Sequence, residues 1–370
     1  MNARLFFTVT NDLVFDQRMI RICTSLAAAG YDVTLVGKAH RDSPALTGRP
    51  FRQHRLNTWS RQGKRFYLEY NLRLFFYLLF QKADGICAID LDTILPVYLV
   101  SRFRRIRRIY DAHELFCEMQ EVVTRPFVYK VWKKVERLCV PRFHHGYTVN
   151  GLIAAEFHKM YGVDYAVIRN MPPLLPDPPA PPPADPSLPA GRFLLYQGAV
   201  NEGRCFEMLI PAMRSVNAPL LICGDGNFMS RAKSLVAEHG LEQKVIFKGK
   251  IRPDELRTIT RAAYAGITLF DRRGISNYYS LANRFFDYIH AGIPQLAVNY
   301  PAYREINNLG QVAVLIDEPG IGEIAEALNN LLDNTGLYLT LVENCNAVRL
   351  RYNWQEEEKV LIRIYREIFK

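Results

Sequence analysis

The chain has 370 residues, 49% hydrophobic and 23% charged, which excludes a disordered, collagen-like or coiled-coil protein and provides material for about two domains. Lys and Arg outnumber Asp and Glu by 47 to 37, and the excess lies in the first half: residues 1–170 hold 26 basic and 15 acidic side chains, residues 171–370 hold 21 and 22. A basic half points to a polyanionic partner such as an anionic membrane, a phosphorylated acceptor or nucleic acid.

Short β-rich runs alternate with helical periodicity along the chain. In the first half the expected strands are Arg4–Thr10, Asp32–Val36, Ile86–Ile89, Arg108–Tyr110 and Gly146–Val149, with a helix over Asp16–Gly30 closed by a C-capping glycine. The most apolar segment, Phe66–Phe80, is broken by Glu69, Asn71 and Arg73 and falls short of the roughly 18 apolar residues of a membrane span. Between Pro172 and Pro189, ten of eighteen residues are proline, so this stretch reads as an extended linker. Beyond it, strands are expected at Phe193–Tyr196, Leu220–Cys223, Val245–Phe247, Ala265–Leu269, Gln295–Val298 and Val312–Ile316, and a charged amphipathic helix ends the chain. The resulting order is residues 1–171, a linker at 172–190, a second domain at 191–353 and a helix at 354–370 that packs back on the first domain. The expected fold class is α/β, two parallel-sheet domains facing a cleft.

Asn11 and Asp12 interrupt the N-terminal apolar run where a signal peptide would continue. The seven cysteines lack Cys-x-x-Cys spacing and the eight histidines lack a His-x-x-x-His pair, so the expectation is a reducing cytoplasm and no zinc site.

Three segments carry chemistry. Tyr196-Gln-Gly-Ala-Val-Asn-Glu-Gly-Arg204 runs from a strand through Gly198 and Gly203 to an arginine and a helix at Phe206–Met213. Backbone N–H groups of such a loop attract anions, and an arginine adds bidentate phosphate recognition. Ile222-Cys-Gly-Asp-Gly226 is a second close turn, and spacing alone leaves open whether Gly224 touches a ligand or simply turns the chain. Ser276–Pro294 is the most specific. A polar loop meets a helix beginning near Ala282, Ser280 and Asn283 are good capping residues, and exposed N–H groups there suit a phosphate. Asp287, four residues after Asn283, is placed to accept ribose hydroxyls.

This last segment resembles the donor-nucleotide signature of retaining GT-B glycosyltransferases of the group 1 type (family GT4), whose Asn-Lys-x-x-Glu-Tyr appears here as Asn283-Arg-Phe-Phe-Asp287-Tyr288. Tyr110-Asp-Ala-His-Glu114 and Asn11-Asp-Leu-Val-Phe-Asp-Gln-Arg18 resemble N-terminal segments of the same family. The resemblance implies that Asp287 binds the nucleotide ribose and Arg204 holds the donor diphosphate. Ser280, Leu281 and Ala282 offer backbone N–H groups to that diphosphate and the donor sugar, and Gly198, Gly224 and Asn283 complete the donor site. His113 contacts the donor sugar, and Asp16, Arg18 and Glu114 are acceptor-side candidates. Two positions depart from the pattern: Tyr279 replaces the first glutamate of E-x7-E, and Ala199 replaces an arginine. Arg284, Arg18 or Arg273 is then needed to supply the missing charge.

The implied activity is transfer of a sugar from a nucleoside-diphosphate donor to a lipid-linked or polysaccharide acceptor in bacterial surface glycan synthesis, with retention of configuration and without metal or other cofactor. The basic segments Arg102–Arg108 and Arg61–Lys82 suit an anionic membrane at the inner face of the plasma membrane, and no nucleic-acid motif accompanies them. A catalytically silent GT-B scaffold or carbohydrate-binding partner is the alternative, with Tyr279 and Ala199 in its favour.

Overall fold

The structure, a computed structural model, describes residues 3–39, 43–175 and 188–370. Most of the proline-rich linker expectation, at 176–187, lies outside the described residues. The chain forms two compact units, Met1–Asn170 with Glu356–Lys370, and Met171–Gln355.

The first unit runs β1 (Arg4–Thr8), α1 (Gln17–Ala28), β2 (Asp32–Ala39), β3 (Arg52–Asn57), α2 (Gly63–Leu79), β4 (Gly85–Ile89), α3 (Leu91–Arg104), β5 (Arg107–Ala112), α4 (Gln120–Val123), α5 (Pro126–Cys139), β6 (His145–Thr148), α6 (Gly151–Tyr161) and β7 (Ala166–Val167). Its sheet is ordered β3-β2-β1-β4-β5-β6-β7, and every pairing is parallel. Strands β1 and β4 are buried almost throughout, as expected of central strands covered on both faces. Two strands escaped the sequence reading, both at edges. β3 (Arg-Gln-His-Arg-Leu-Asn) has only one neighbour and no fully buried residue, so no apolar run marks it.

The second unit runs β8 (Leu194–Gln197), α7 (Phe206–Ala212), β9 (Leu220–Cys223), α8 (Met229–Glu238), β10 (Val245–Gly249), α9 (Pro253–Ala262), β11 (Ala265–Thr268), α10 (Ile275–Tyr278), α11 (Asn283–Ala291), β12 (Gln295–Val298), α12 (Pro301–Leu309), β13 (Ala313–Ile316), α13 (Ile321–Asp333) and α14 (Thr335–Val348). Its sheet is ordered β10-β9-β8-β11-β12-β13, again all parallel. Each sheet therefore reverses its direction of growth once, between β1 and β4 and between β8 and β11. In such sheets the crevice at the strands' C-terminal ends beside the reversal is where ligands bind.

The last helix, α15 (Trp354–Ile368), returns to the first unit. Leu361 and Tyr365 are fully buried, and the Tyr365 hydroxyl lies 3.3 Å from that of Tyr147. Ser25 donates to Glu358 at 2.6 Å, and the Arg169 N–H donates to Glu357 at 2.8 Å. Truncating an aromatic buried this deeply costs about 3–5 kcal/mol, so α15 is part of the first unit's core. No helix among the described residues is long and apolar enough to cross a membrane.

Candidate functional site

The second unit's reversal point is built by close backbone packing. Gly198, just past β8, has φ +118°, a conformation that favours glycine. Its N–H donates to Cys223 O at 2.9 Å, and the Val200 N–H to Asp225 O at 3.0 Å, so the loops after β8 and β9 lie against each other. A Cβ on Gly224 would meet Gly198 O at 1.7 Å. The approach of these two backbones therefore requires a glycine at 224.

Two arginines converge on one aromatic ring beside this turn. Arg204 Cζ lies 4.4 Å from the Phe270 ring centroid, and its Nη1 donates to Asn277 Oδ1 at 3.0 Å. Arg284, in the first turn of α11, has its Cζ 4.9 Å from the same ring and 4.5 Å from that of Tyr196. Arg284 is only 7% exposed, and its one hydrogen bond among the described residues is Nη1 to Gln197 O at 3.2 Å. Its Nε and Nη2 are buried with no hydrogen-bond partner among the described residues. A Cβ at Gly198 would sit 3.0 Å from Nη1, so the glycine also makes room for this guanidinium. A buried guanidinium with two unmade donors is costly unless an anion completes it. The other two cations considered for this role are committed elsewhere. Arg273 pairs with Asp271 at 2.7 Å, and Arg18 with Asp111 at 2.8 Å.

Asp287, one turn further along α11, accepts from Gln197 Nε2 at 2.9 Å, and Gln197 Oε1 accepts from Thr260 at 2.7 Å. The buried Gln197 amide therefore fixes the carboxylate beside the end of β8. The loop before α11 differs from expectation. Ser280 does not cap the helix: its hydroxyl donates to Asn277 O at 2.7 Å. Asn283 is the first helical residue, and the N-cap is Ala282 without a side-chain cap. The Ser280 N–H is taken by Asn277 O at 3.2 Å, and the Ala282 N–H by the Tyr303 hydroxyl at 3.0 Å. Of the three N–H groups expected to face a diphosphate, these two are already satisfied inside the loop.

The first unit's reversal point holds a separate charged cluster. Asp90, at the end of β4, has φ 55°. Its carboxylate accepts the His113 backbone N–H at 2.9 Å and lies 3.2 Å from His113 Nδ1. On the other side, His113 Nε2 is 3.2 Å from Asp111 Oδ2, outside hydrogen-bond geometry, which makes this an ion pair rather than a directed bond. Asp111 is fully buried and receives Arg18 through two bonds, at 3.1 and 2.8 Å, while Arg18 Nη1 donates to Ile168 O at 3.0 Å. Arg18 is thus buried and fully engaged, and the structure places it behind His113 rather than at an open surface.

Burial works against a charged His113, but Asp90 and Asp111 outweigh it and hold the imidazole well above its ordinary value. Burial likewise opposes the Asp111 carboxylate, and Arg18 with His113 brings it below the usual range. Asp92 is pushed up to about 7, chiefly by burial and by Asp90, against a hydrogen bond from Thr10. Asp16 caps α1 by accepting the Met19 N–H at 3.1 Å, and Glu114 is half-buried beside His113. No group of three or more His, Cys, Asp or Glu among the described residues is arranged to hold a metal ion.

Sequence reasoning missed Phe270, Gln197, Tyr303 and Asp90 as supports of these sites. Phe270 and Asp90 lie just past the ends of β11 and β4, a position that the strand order alone marks out.

Fold and comparisons agree on class. The chain has the GT-B fold, two Rossmann-like parallel-sheet units, and residues 188–347 match the family model described as glycosyl transferases group 1. Sucrose-phosphate synthase from Thermosynechococcus elongatus superimposes with TM-score 0.82 at 16% identity, over 100% of this chain and 99% of that one. HepE of Anabaena in complex with UDP and glucose gives 0.75 at 13% identity over 99% and 100%. WaaG, a glycosyltransferase involved in lipopolysaccharide biosynthesis, gives 0.75 at 16% over 97% and 99%. Among curated proteins, an uncharacterized glycosyltransferase of Methanocaldococcus jannaschii is 22% identical over 182 residues, 47% of this chain and 45% of that protein, so the match spans less than half of that relative.

Proposed function

We propose that this protein is a group 1 glycosyltransferase of family GT4 type, which moves a sugar from a nucleoside-diphosphate donor to a lipid-linked or polysaccharide acceptor with retention of configuration. The observation that carries the reading is Arg284: a buried guanidinium with two unmade donors, facing Gly198 and sharing the Phe270 ring with Arg204. That arrangement suits a diphosphate. The UDP complex of HepE, a protein of the same fold, supports the choice of ligand.

In this reading the second unit binds the donor. Arg204 and Arg284 take the diphosphate, and Asp287 accepts ribose hydroxyls. As the sugar–phosphate bond breaks, negative charge grows on the leaving diphosphate. Fixed cations meet it without reorganisation, which lowers the barrier without a metal ion. The first unit binds the acceptor. His113, set between Asp90 and Asp111, contacts the donor sugar, and Arg18 positions it through Asp111. The leaving phosphate takes the acceptor's proton on the face it departs from, so configuration is retained. WaaG supports an acceptor of the surface-glycan class, and such an acceptor belongs on the cytoplasmic side of a membrane.

The test is thermal stabilisation by UDP-, GDP-, ADP- and TDP-sugars of the wild type, Arg204→Ala and Asp287→Ala. A shift with one nucleotide, reduced in both variants, is expected, and anomeric NMR of the transfer product then reads the stereochemistry. Folded wild type that responds to none of them would favour the silent-scaffold reading, for which the absence of a carboxylate at Tyr279 argues.

A further inference from the structure

The first unit has an outer face that its fold leaves without a partner among the described residues. The connections β3→β4, β4→β5 and β5→β6 all step across the sheet in one direction, and right-handed crossovers place their helices α2, α3 and α5 on the same side. Helix α3 packs against both α2 and α5. The inward residues of α2, such as Tyr70 and Leu74, are fully buried in the core.

The outward residues are not the polar set expected of a solvated helix surface. Leu72 and Phe76 on α2, with Phe80 just beyond it, recur at four-residue intervals and are exposed. Phe103 stands out from α3 and Phe127 and Val131 from α5; Phe80 is 79% exposed and Phe103 81%. Lys64 lies over the Phe127 ring at 4.6 Å, so the stripes of α2 and α5 meet. Half of a protein surface is ordinarily apolar, but large rings aligned on three adjacent helices are a patch of the kind that marks an interaction site.

The charges on this face have one sign. The exposed charged residues of the three helices are Lys64 and Arg65 on α2, Arg102 on α3, and Lys130, Lys134 and Arg137 on α5. The carboxylates on the same helices are turned away. Glu69 accepts the N–H groups of Trp59 and Ser60, while Asp92 and Glu136 are buried, Glu136 against Lys133 at 2.8 Å. Aromatic and aliphatic side chains interleaved with cations and free of exposed carboxylates match a lipid interface: the rings enter the headgroup–acyl boundary and the cations meet lipid phosphates. A second copy would set these cations against each other.

We propose that the α2–α3–α5 face docks on an anionic lipid surface. The proposal deepens the membrane-acceptor part of the function above, and lipid binding tests it without any transfer assay. Purified full-length protein is sedimented with phosphatidylcholine vesicles, with and without phosphatidylglycerol, alongside F76S/F80S/F103S and R102Q/K130Q/K134Q. Circular dichroism and the thermal midpoint establish that each variant is folded.

Binding is expected only with phosphatidylglycerol present and is expected to weaken with salt. The charge variant should lose roughly fivefold per cation removed, about 100-fold in all. The ring variant should lose at least about tenfold. Folded wild type that does not bind anionic vesicles, or binding that neither variant weakens, overturns the proposal. A dimer in light scattering that F76S/F80S/F103S dissolves would assign the face to a second copy instead. Failure of nucleotide binding, in contrast, would leave this result standing and strike only the donor-site reading.

Discussion

Replacing Arg284 by Met separates a ligand-binding guanidinium from a structural one. In the unliganded protein the substitution leaves Gln197 O without its donor, a loss of about 1–3 kcal/mol, and forfeits two cation–π contacts of about 0.5–2 kcal/mol each. It also removes a buried charge whose two unmade N–H groups each cost about 1–3 kcal/mol, and the thioether recovers about 0.3–1.5 kcal/mol on each ring. These opposing contributions bring the variant to within about 2 kcal/mol of wild type. Nucleotide binding has no such compensation, because the diphosphate loses charge-assisted hydrogen bonds and Kd should rise about 100-fold or more. At a nucleotide concentration 100 times the wild-type Kd, wild type gains about 2.7 kcal/mol of stability and the variant about 0.4. Scanning fluorimetry would then show a shift of about 5–11 °C for wild type and about 1 °C for Arg284→Met. The reasoning is refuted if the variant loses more than about 4 kcal/mol without nucleotide, or if it keeps the wild-type shift.

Three further substitutions test the same structure elsewhere. Gly224→Ala drives a Cβ into Gly198 O, a backbone atom, and should cost about 3 kcal/mol or more in urea unfolding of the second unit, with the nucleotide response lost alongside. Asp111→Asn leaves Arg18 buried without its counterion. It should destabilise the first unit by about 3–5 kcal/mol, and the NMR titration of His113 should move down, since one of the two carboxylates that raise it is gone. Asp92→Asn should reveal a pH-dependent gain. Between the ordinary value of 3.8 and the native value of about 7, folded Asp92 keeps a proton that the unfolded chain gives up, so stability falls as pH rises through that window and stays lower above it. Relative to wild type the Asn variant should therefore gain stability on raising the pH, levelling above about 7 at up to about 4 kcal/mol; equal pH profiles would refute the assignment.

What the sequence disclosed, and what it hid, follow from how each feature is encoded. Central strands such as Leu220–Cys223 and Gln295–Val298 are read correctly to the residue because both of their faces are buried, which forces an apolar run. The edge strand Arg52–Asn57 escapes because pairing on one side imposes no such run. In the candidate site, Gly198, Arg204 and Asp287 are expected from sequence because a turn or a helix start singles each out locally. Gly224 is marked by its turn, but only the folded chain shows that a Cβ there would meet Gly198 O at 1.7 Å. Ser280 has the chemistry of a cap, yet its hydroxyl turns back to Asn277, because a capping propensity does not say which of two nearby carbonyl or N–H partners wins. The choice among Arg18, Arg273 and Arg284 shows the limit most clearly. All three are arginines beside plausible loops. What separates them is whether a carboxylate folds in from elsewhere: Asp111 reaches Arg18 across 93 residues, Asp271 reaches Arg273 across two, and no carboxylate pairs with Arg284 among the described residues. Whether a buried cation is neutralised is a property of the folded chain that no local pattern of residues can carry.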